Sequence, residues 1–419
     1  MRSILSQRPL RLVFAANLIS MLGSGMNSAA VAWHILQVTR SEMALGTLIA
    51  LQTVPAMLMM PFTGVIIDRE DRRRLVMTLD AGRGLIILVV ALLAFAGKAR
   101  VWELYLMNVL VAAGFWMFWP SITALIQELT PEAEYVHSNT FLMAGVQGGW
   151  LMAGAIVGFV YNHIGLGGVL LIDFSTYVVS FLCYLAVRKG RHVAHRAGHL
   201  HEQLVAAETS AARFWRELRE GFHYLRGNRY VVFLGISWAL FLGAMLTGGV
   251  VTAPLSDRIL HGGAVGYGWL NAGWGTGAFA SALYAPRAIK ALRARPTVAV
   301  SMALLAAGMF LAPFSRWLAI AVAVFAMMGS ARGLAGIAIT SSIMEHVPQN
   351  FMGRVQNTFY FVGTGMQVVL ALGVGAVAHR VSLTTGFAII GVVYALAFIS
   401  ASWPLETTAE VASGAGVSS

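Results

Sequence analysis

The sequence has few charged residues. Of its 419 residues only 11% are Asp, Glu, Lys or Arg, and 58% are hydrophobic. The mean hydropathy is +0.72. A soluble domain carries about 25% charged residues, because its surface must face water. The composition therefore excludes a water-soluble fold and is typical of a protein whose surface lies in lipid.

Cysteine and the common catalytic motifs are also missing. The single thiol, Cys183, cannot form an intramolecular disulfide, and its apolar surroundings indicate a packing residue. There is no zinc-binding helix, no G-x-S-x-G nucleophile elbow and no G-x-x-x-x-G-K-[ST] phosphate loop. These absences argue against an enzyme or receptor and against ATP as the direct energy source. We expect no metal and no other cofactor.

Acidic residues are fewer than basic ones, at 18 against 29, which gives a formal charge of +11. Such an excess can indicate nucleic-acid binding, but membrane proteins concentrate Lys and Arg in their cytoplasmic loops. If the N-terminus is cytoplasmic, the basic clusters at 69–74, 188–229 and 287–295 all fall on the cytoplasmic side. We therefore predict a multi-pass protein of the cell (plasma) membrane with both termini cytoplasmic and no nucleic-acid partner.

Apolar runs long enough to cross a membrane fill the chain. A spanning helix needs roughly 20 mainly apolar residues, and it satisfies its own backbone hydrogen bonds where no water is present. The first run resembles a secretory signal, but it continues to Val38 and is too long for one. We predict an all-α polytopic membrane protein with twelve transmembrane helices, at 10–38, 43–66, 75–97, 101–129, 135–161, 166–187, 230–257, 264–289, 297–314, 316–345, 351–379 and 383–403.

The segment 188–229 divides the spans into two sets of six. We predict an N-terminal bundle at 1–187, a cytoplasmic basic linker at 188–229, a C-terminal bundle at 230–403 and a disordered cytoplasmic tail at 404–419. The linker histidines could bind a metal, although a flexible basic segment is the simpler interpretation. Residues 211–226 predict an amphipathic helix on the cytoplasmic membrane surface, with an apolar face formed by Phe214, Leu218, Phe222 and Leu225.

The two sets also repeat in sequence. Glu128-Leu129-Thr130-Pro131 recurs as Glu345-His346-Val347-Pro348, 217 residues later. Because six spans separate the copies, both have the same orientation, which predicts a parallel repeat about an axis along the membrane normal. Paired bundles of this kind suit transporters, since a site between two similar halves can open to either side.

The sharpest motif is the turn Gly64-Val65-Ile66-Ile67-Asp68-Arg69-Glu70-Asp71-Arg72-Arg73-Arg74. It resembles the G-x-x-x-D-R-x-G-R-R signature of the major facilitator superfamily, with Asp71 in place of the second glycine. The same replacement is seen in the branch that contains macrolide-efflux proteins and siderophore exporters. Other pieces similar to that branch are Asp80 with Arg83, the segment 219–226, and Gly353-Arg354-Val355.

The resemblance implies a major facilitator fold that works by alternating access. It also implies a proton-coupled exporter of small amphipathic compounds, such as drugs, macrolides or siderophores, with a role in multidrug resistance. An importer or a lipid flippase of the same fold is the alternative. Exporters often carry a Gly-Pro motif where this chain reads Gly154-Ala155-Ile156-Val157-Gly158, so the direction of transport stays open. We expect a monomer with the bilayer, protons and a small-molecule substrate as partners.

The resemblance further assigns a conformational latch to Gly64, Asp68, Arg69, Arg72 and Arg73. In the family, the loop aspartate lies near the N-terminus of the span that here begins at about 351. A carboxylate there meets unpaired N–H groups and the helix dipole, a contact worth about 0.3 to 1 kcal/mol when exposed. The alternative is that the arginine-rich turn only fixes topology.

Few ionisable residues lie far from the ends of the spans. Arg332 falls near the middle of the span at 316–345, and Asp173 lies within the span at 166–187. Charges at membrane depth are costly and usually face a cavity or a partner, so both are candidates for contact with substrate or protons. A buried structural pair is the alternative for Arg332. Asp80 and Arg83, three residues apart, predict a structural charge pair.

Aromatic and small residues complete the set of candidates. Trp116 and Trp119 lie in an aromatic run, and Asn27 is a polar residue midway along the first span. By analogy with the family's cavity-lining spans, all three are candidate substrate contacts. Glycines at four-residue spacing predict close helix packing, and the resemblance to the family places the two spans that carry them against each other across the boundary between the halves. Sliding contacts there are the functional interpretation, and ordinary tight packing is the alternative. The glycines are Gly145, Gly149, Gly154, Gly158, Gly273 and Gly277.

Overall fold

The computed structural model describes residues 7–62, 71–130, 134–187 and 200–403, and all regular structure within these ranges is helical. Several predicted features lie outside the described residues. They are the latch residues Gly64, Asp68 and Arg69, the linker histidines at 192, 195 and 199, and the tail at 404–419.

Within these ranges, thirteen helices follow in chain order. They are α1 Arg8–Thr39, α2 Glu42–Met59, α3 Arg72–Phe95, α4 Val101–Leu129, α5 and α6 within Tyr135–Ala186, α7 Leu200–Arg226, α8 Arg229–Pro254, α9 Gly263–Leu292, α10 Ala294–Leu311, α11 Leu318–His346, α12 Gln349–Arg380 and α13 Leu383–Ser402. A π-turn, Leu255–Ile259, extends α8, and a 3₁₀ turn, Ala312–Phe314, extends α10.

The helix boundaries follow from local chemistry. Gly165 has φ 64° and divides the long helix into α5 (135–164) and α6 (166–186). This left-handed conformation suits glycine, which lacks a Cβ. Side chains cap other helices: Ser41 accepts from the Ala44 N–H at 3.4 Å, and Asp71 accepts from the Arg74 N–H at 3.1 Å.

The twelve predicted spans are present. Within the described residues, 10 helices are long and apolar enough to cross a membrane, and α5 and α9 complete the set. Because the spans alternate in direction, the turn at 40–41 marks one end of the bundle and the start of α3 marks the other. We call these the Glu42 end and the Arg72 end.

A pair of equivalent arginines reveals the internal repeat. Arg73, the second residue of α3, donates to the carbonyls of Tyr184 at 2.7 Å and Leu185 at 2.6 Å, at the end of α6. Arg295, the second residue of α10, donates to the Ala401 carbonyl at 2.8 Å and to that of Trp403, at the end of α13. Each arginine satisfies carbonyls that the helix end leaves unpaired. The third and sixth spans of each half are therefore joined in the same way.

The linker helix α7 begins at Leu200, earlier than the predicted Ala211, and packs on α12. Phe214, Leu218 and Leu225 are buried as its apolar face, whereas Phe222 is 46% exposed. Gly221 permits close approach, since a Cβ there would lie 2.3 Å from Thr358 Oγ1. The predicted apolar face thus rests mainly on protein rather than on the membrane surface.

The glycines at four-residue spacing contact several different partner helices. Gly154 and Gly158 contact α9 across the boundary between the halves, and a Cβ on Gly158 would lie 2.5 Å from the Ala264 carbonyl oxygen. Gly149 instead packs on α1. Gly273 and Gly277 pack on α11 within their own half, which agrees with ordinary tight packing rather than with contacts between the halves. Small residues allow close approach wherever two helices meet, so their spacing alone does not identify the partner helix.

Candidate functional site

Asp173, on α6, lies in a buried polar cluster in the N-terminal half. Its side chain is fully buried, and Asn27 of α1 donates to Asp173 Oδ2 at 2.7 Å. Thr176 donates to Oδ1 at 3.5 Å. The structure thus joins two residues that were separate candidates in the sequence. Asn27 is itself buried, so it serves as a partner of Asp173 rather than as an exposed cavity residue.

The charge pair lies in the same interior. Arg83 and Asp80 of α3 form a buried ion pair, and Ser180 of α6 donates to Asp80 at 2.6 Å. The Arg83 guanidinium lies 4.4 Å from the Phe118 ring centroid and 4.9 Å from that of Tyr177. These cation–π contacts and the carboxylate hold the guanidinium where water does not reach it.

The two sets of polar residues are linked. The Tyr177 ring packs on Arg83, and its hydroxyl lies 3.0 Å from Ser24 Oγ on α1, close in sequence to Asn27. Arg83 is also near enough to Asp173 to interact with it electrostatically. The guanidinium is thus paired with Asp80 and lies in the same interior as Asp173. We call Asp173, Asp80, Arg83, Asn27 and Ser180 the Asp173 cluster.

Charge balance makes this cluster suited to hold a proton. If both carboxyl groups are ionised, Arg83 neutralises one and leaves a negative charge in the interior, which is costly. A proton on one carboxyl removes that charge. Asn27 Oδ1 is buried and has no hydrogen-bond partner among the described residues. Its amide can therefore donate to an ionised Asp173 or, after a flip, accept from a protonated one.

Arg332, on α11, is a partly buried cation in the other half. Its Nε lies 3.3 Å from Met245 Sδ on α8, and Tyr360 and Tyr394 are close enough to interact with it electrostatically. No carboxylate forms an ion pair with it in the part of the chain described here. The Tyr394 hydroxyl is buried and also lacks a partner there. This group of residues can bind an anion or a hydrogen-bond acceptor.

The aromatic run of α4 has divided roles. Phe118 is buried and packs on Arg83. Trp116 and Trp119 are partly buried, and both contact Phe115, at ring-centroid distances of 6.1 and 6.4 Å. No hydrogen bond or ring contact of the described residues joins these tryptophans to Asp173 or Arg332. Their contact with a substrate stays a prediction.

Among the described residues, the polar contacts of the latch residues Arg72 and Arg73 lie within their own half. Arg72 donates to the Ala124 carbonyl at 3.2 Å and lies 3.9 Å from Glu128. Arg73 holds the end of α6, as described above. Both tie α3 to neighbouring helices of the N-terminal bundle.

A network at the Glu42 end was not predicted from the sequence. The buried Glu42 lies 2.6 Å from Arg258, and His379 Nδ1 lies 3.2 Å from its other oxygen. Beside it, Arg40 pairs with Asp257 at 2.9 Å. Glu42 and Arg40 belong to the N-terminal half and their partners to the C-terminal half. We call these five residues the Glu42 cluster; it joins the two halves at one end.

Contacts deeper in the bundle extend this closure. Gln367 of α12 donates to Thr53 of α2 at 2.7 Å, and Gly46 of α2 packs against the backbone of Ala371. These contacts seal α2 against α12 from the Glu42 end inward. The sequence does carry an indication of this closure. The loops at the Glu42 end contain few charged residues, and these include both acidic and basic ones, so ion pairs between the loops are possible.

Comparison with protein families agrees with this geometry. The model of the Major Facilitator Superfamily matches residues 13–366. The MFS-type transporter YkuC of Bacillus subtilis is 24% identical over 82% of this chain and 79% of its own length. Macrolide efflux protein A of Streptococcus pyogenes is 22% identical over 55% of this chain and 54% of its own.

Solved structures share the architecture. The nucleoside transporter NupG aligns with a TM-score of 0.74 at 12% identity, covering 95% of this chain and 100% of that one. A bacterial homologue of the iron transporter ferroportin, in an inward-facing state, aligns with a TM-score of 0.72 at 14% identity, covering 95% and 99%. At such low identities these likenesses establish the fold alone.

Proposed function

Because the chain belongs to the major facilitator superfamily, we propose that it is a proton-coupled exporter of small amphipathic compounds that works by alternating access. Members of this family are membrane transporters of small molecules and not enzymes. The proposal adds three properties to this family membership: the driving ion, the direction of transport and the class of substrate.

The observation that carries proton coupling is the Asp173 cluster. Two buried carboxyl groups lie in the same interior as one guanidinium, which is paired with Asp80, so this interior is neutral only when one carboxyl is protonated. Asp80 already has both an ion pair and a hydrogen bond from Ser180, whereas Asp173 is held by neutral donors. Asp173 is therefore the carboxyl that takes up and releases the proton.

Direction and substrate rest on two further observations. Macrolide efflux protein A is among the relatives and supports export. Arg332 lacks an acidic partner in the described part of the chain, so a substrate with a carboxylate, catecholate or similar acceptor group supplies the missing contact. Trp116 and Trp119 offer aromatic surface to the apolar part of such a compound.

Alternating access needs closures at both ends. The Glu42 cluster holds the halves together at one end, and we assign it the role of the outer closure. The motif turn at 64–73 is the proposed inner latch, with Asp68 as its central residue. With the arginine-rich turn in the cytoplasm, the protein lies in the plasma membrane with both termini inside.

An importer or a lipid flippase is the second candidate. The observation that favours it is the missing Gly-Pro motif at Gly154 to Gly158, where Gly154 and Gly158 instead pack closely on α9. The fold is shared with the nucleoside transporter NupG at only 12% identity, so it supports neither direction over the other.

Transport in oriented vesicles tests the proposal. Inverted membrane vesicles that contain the protein are energised to acidify their interior, and uptake of a labelled macrolide or catecholate is followed. Export predicts accumulation that stops when an ionophore collapses the pH gradient. Accumulation only in right-side-out vesicles would identify an importer. Movement of labelled phospholipid without either compound would identify a flippase.

A further inference from the structure

A groove with many basic residues lies between α7 and the first turns of α12. Its volume is about 900 Å³. Arg216, Arg219, His223 and Arg226 of α7 line one side, and Arg354 of α12 lines the other. The four α7 residues are three or four positions apart, which puts them on one face of the helix. The groove is therefore formed by two packed helices and not by loops.

The positive charge in the groove is only partly balanced. Glu220 lies 3.1 Å from Arg354 and 3.9 Å from Arg216. Arg219 and Arg226 are exposed and have no acidic partner among the residues that the structure describes. Two guanidinium groups are thus available to an anion, and their planar donors suit the oxygens of a phosphate.

Aromatic contacts between α7 and α12 lie beside the basic residues of the groove. Tyr224 stacks on Phe351 at a ring-centroid distance of 4.8 Å, and Arg354 lies 5.1 Å from the centroid of the Phe351 ring. These contacts fix α7 against α12 beneath the basic face. The geometry of the groove is therefore set before any ligand arrives, which lowers the entropic cost of binding.

The position of the groove indicates what occupies it. Only Gly227 and Asn228 separate α7 from the spanning helix α8, so the groove lies at the level where a span leaves the membrane. Trp215 and Phe222 of α7 are 55% and 46% exposed. Exposed aromatic side chains beside a basic patch are typical of the membrane–water interface, where anionic lipids attract arginine.

We propose that this groove binds the phosphate headgroup of an anionic phospholipid, with Arg219 and Arg226 as the main contacts. The exposed aromatic side chains lie beside the acyl chains. A bound lipid then bridges α7 and α12 and fixes the linker helix to the C-terminal half. This site is separate from Arg332 and the Asp173 cluster, so it does not depend on proton coupling or on the direction of transport.

Lipid retention tests the proposal. Protein purified from nanodiscs of equal phosphatidylglycerol and phosphatidylcholine is examined by native mass spectrometry, and the ratio of retained lipids is measured. Wild type should retain phosphatidylglycerol preferentially. The Arg219→Gln, Arg226→Gln double variant should lose about fivefold in this preference for each arginine removed, which corresponds to about 1 kcal/mol per basic residue.

The matched control is the Arg74→Gln, Arg213→Gln double variant. It removes the same charge from exposed positions at the same end of the bundle, outside the groove. It should keep the wild-type preference. Equal loss in both double variants, or none in either, would overturn the proposal. Displacement of the lipid by millimolar glycerol phosphate would identify a site for soluble phosphates instead. The melting temperatures of both double variants in detergent, compared with that of the wild type, show whether they are folded.

Discussion

Neutralising Glu42 should open the end of the bundle that it holds closed. Glu42→Gln keeps the size of the side chain but removes the ion pair with Arg258 and weakens the contact with His379. Glu42 is fully buried, whereas the side chains of Arg258 and His379 are 41% and 47% exposed. Water can therefore solvate both partners once the charge is gone, and the variant should fold.

The size of the effect follows from this mixed exposure. Exposed ion pairs are worth about 0.2 to 1 kcal/mol, while removing one partner of a fully buried pair costs about 3 to 5 kcal/mol. With exposed partners we take about 1 kcal/mol for each of the two contacts. The closed state then loses about 2 kcal/mol, which lowers the ratio of closed to open molecules roughly 30-fold.

Distances between spin labels measure this ratio. Labels are attached at Lys98 and Arg316, exposed loop positions of the two halves at the Glu42 end, in a Cys183→Ser background. Double electron–electron resonance should show a new, longer distance in Glu42→Gln. The control is Glu103→Gln at the same end, since the hydrogen bond of the Glu103 side chain within the described residues is to the Arg100 N–H of its own half. An unchanged distance distribution in Glu42→Gln would refute the closure.

Three further substitutions test other parts of the account. Arg332→Gln should leave the melting temperature unchanged but narrow the substrate range to compounds without an acidic group. Arg332→Lys should restore part of the transport of acidic compounds. An Arg332→Gln variant that transports every compound normally would contradict a substrate contact at Arg332. Asp68→Asn should sharply reduce transport at normal expression, whereas wild-type transport would remove the latch hypothesis. Gly277→Ala should lower the melting temperature, since its Cβ would lie 1.8 Å from the Ala326 carbonyl oxygen and overpacking costs roughly 1 to 3 kcal/mol. Gly336→Ala, which meets open space in the same half, should be neutral or stabilising.

Much of the fold could be predicted from the sequence, because backbone groups inside a bilayer must form hydrogen bonds within the protein and each long apolar run is therefore helical. Twelve apolar runs predict twelve helices, and the boundaries agree to within a few residues at most ends. The repeat of Glu128 to Pro131 at Glu345 to Pro348 predicts two similar halves, and the matching contacts of Arg73 and Arg295 agree with it.

The contacts between helices were harder to predict. Asp173 and Asn27 are 146 positions apart, and nothing in the local sequence pairs them. The Glu42 cluster likewise joins the two halves through pairs that are 216 to 337 positions apart in sequence. The glycines of α9 predict close packing but not that Gly273 and Gly277 face α11. Spacing along a helix determines which residues share a face, but the partner of that face depends on the whole fold.

In the proposed mechanism Asp173 carries the coupled proton, and transport by Asp173→Asn in proteoliposomes is the decisive experiment for that role. Asparagine keeps the size and a donor–acceptor pair next to Asn27 but cannot take up or release a proton. Gradient-driven accumulation of substrate should be lost in this variant, while downhill exchange of labelled for unlabelled substrate should continue. Accumulation at the wild-type level, with unchanged dependence on the pH gradient, would contradict it.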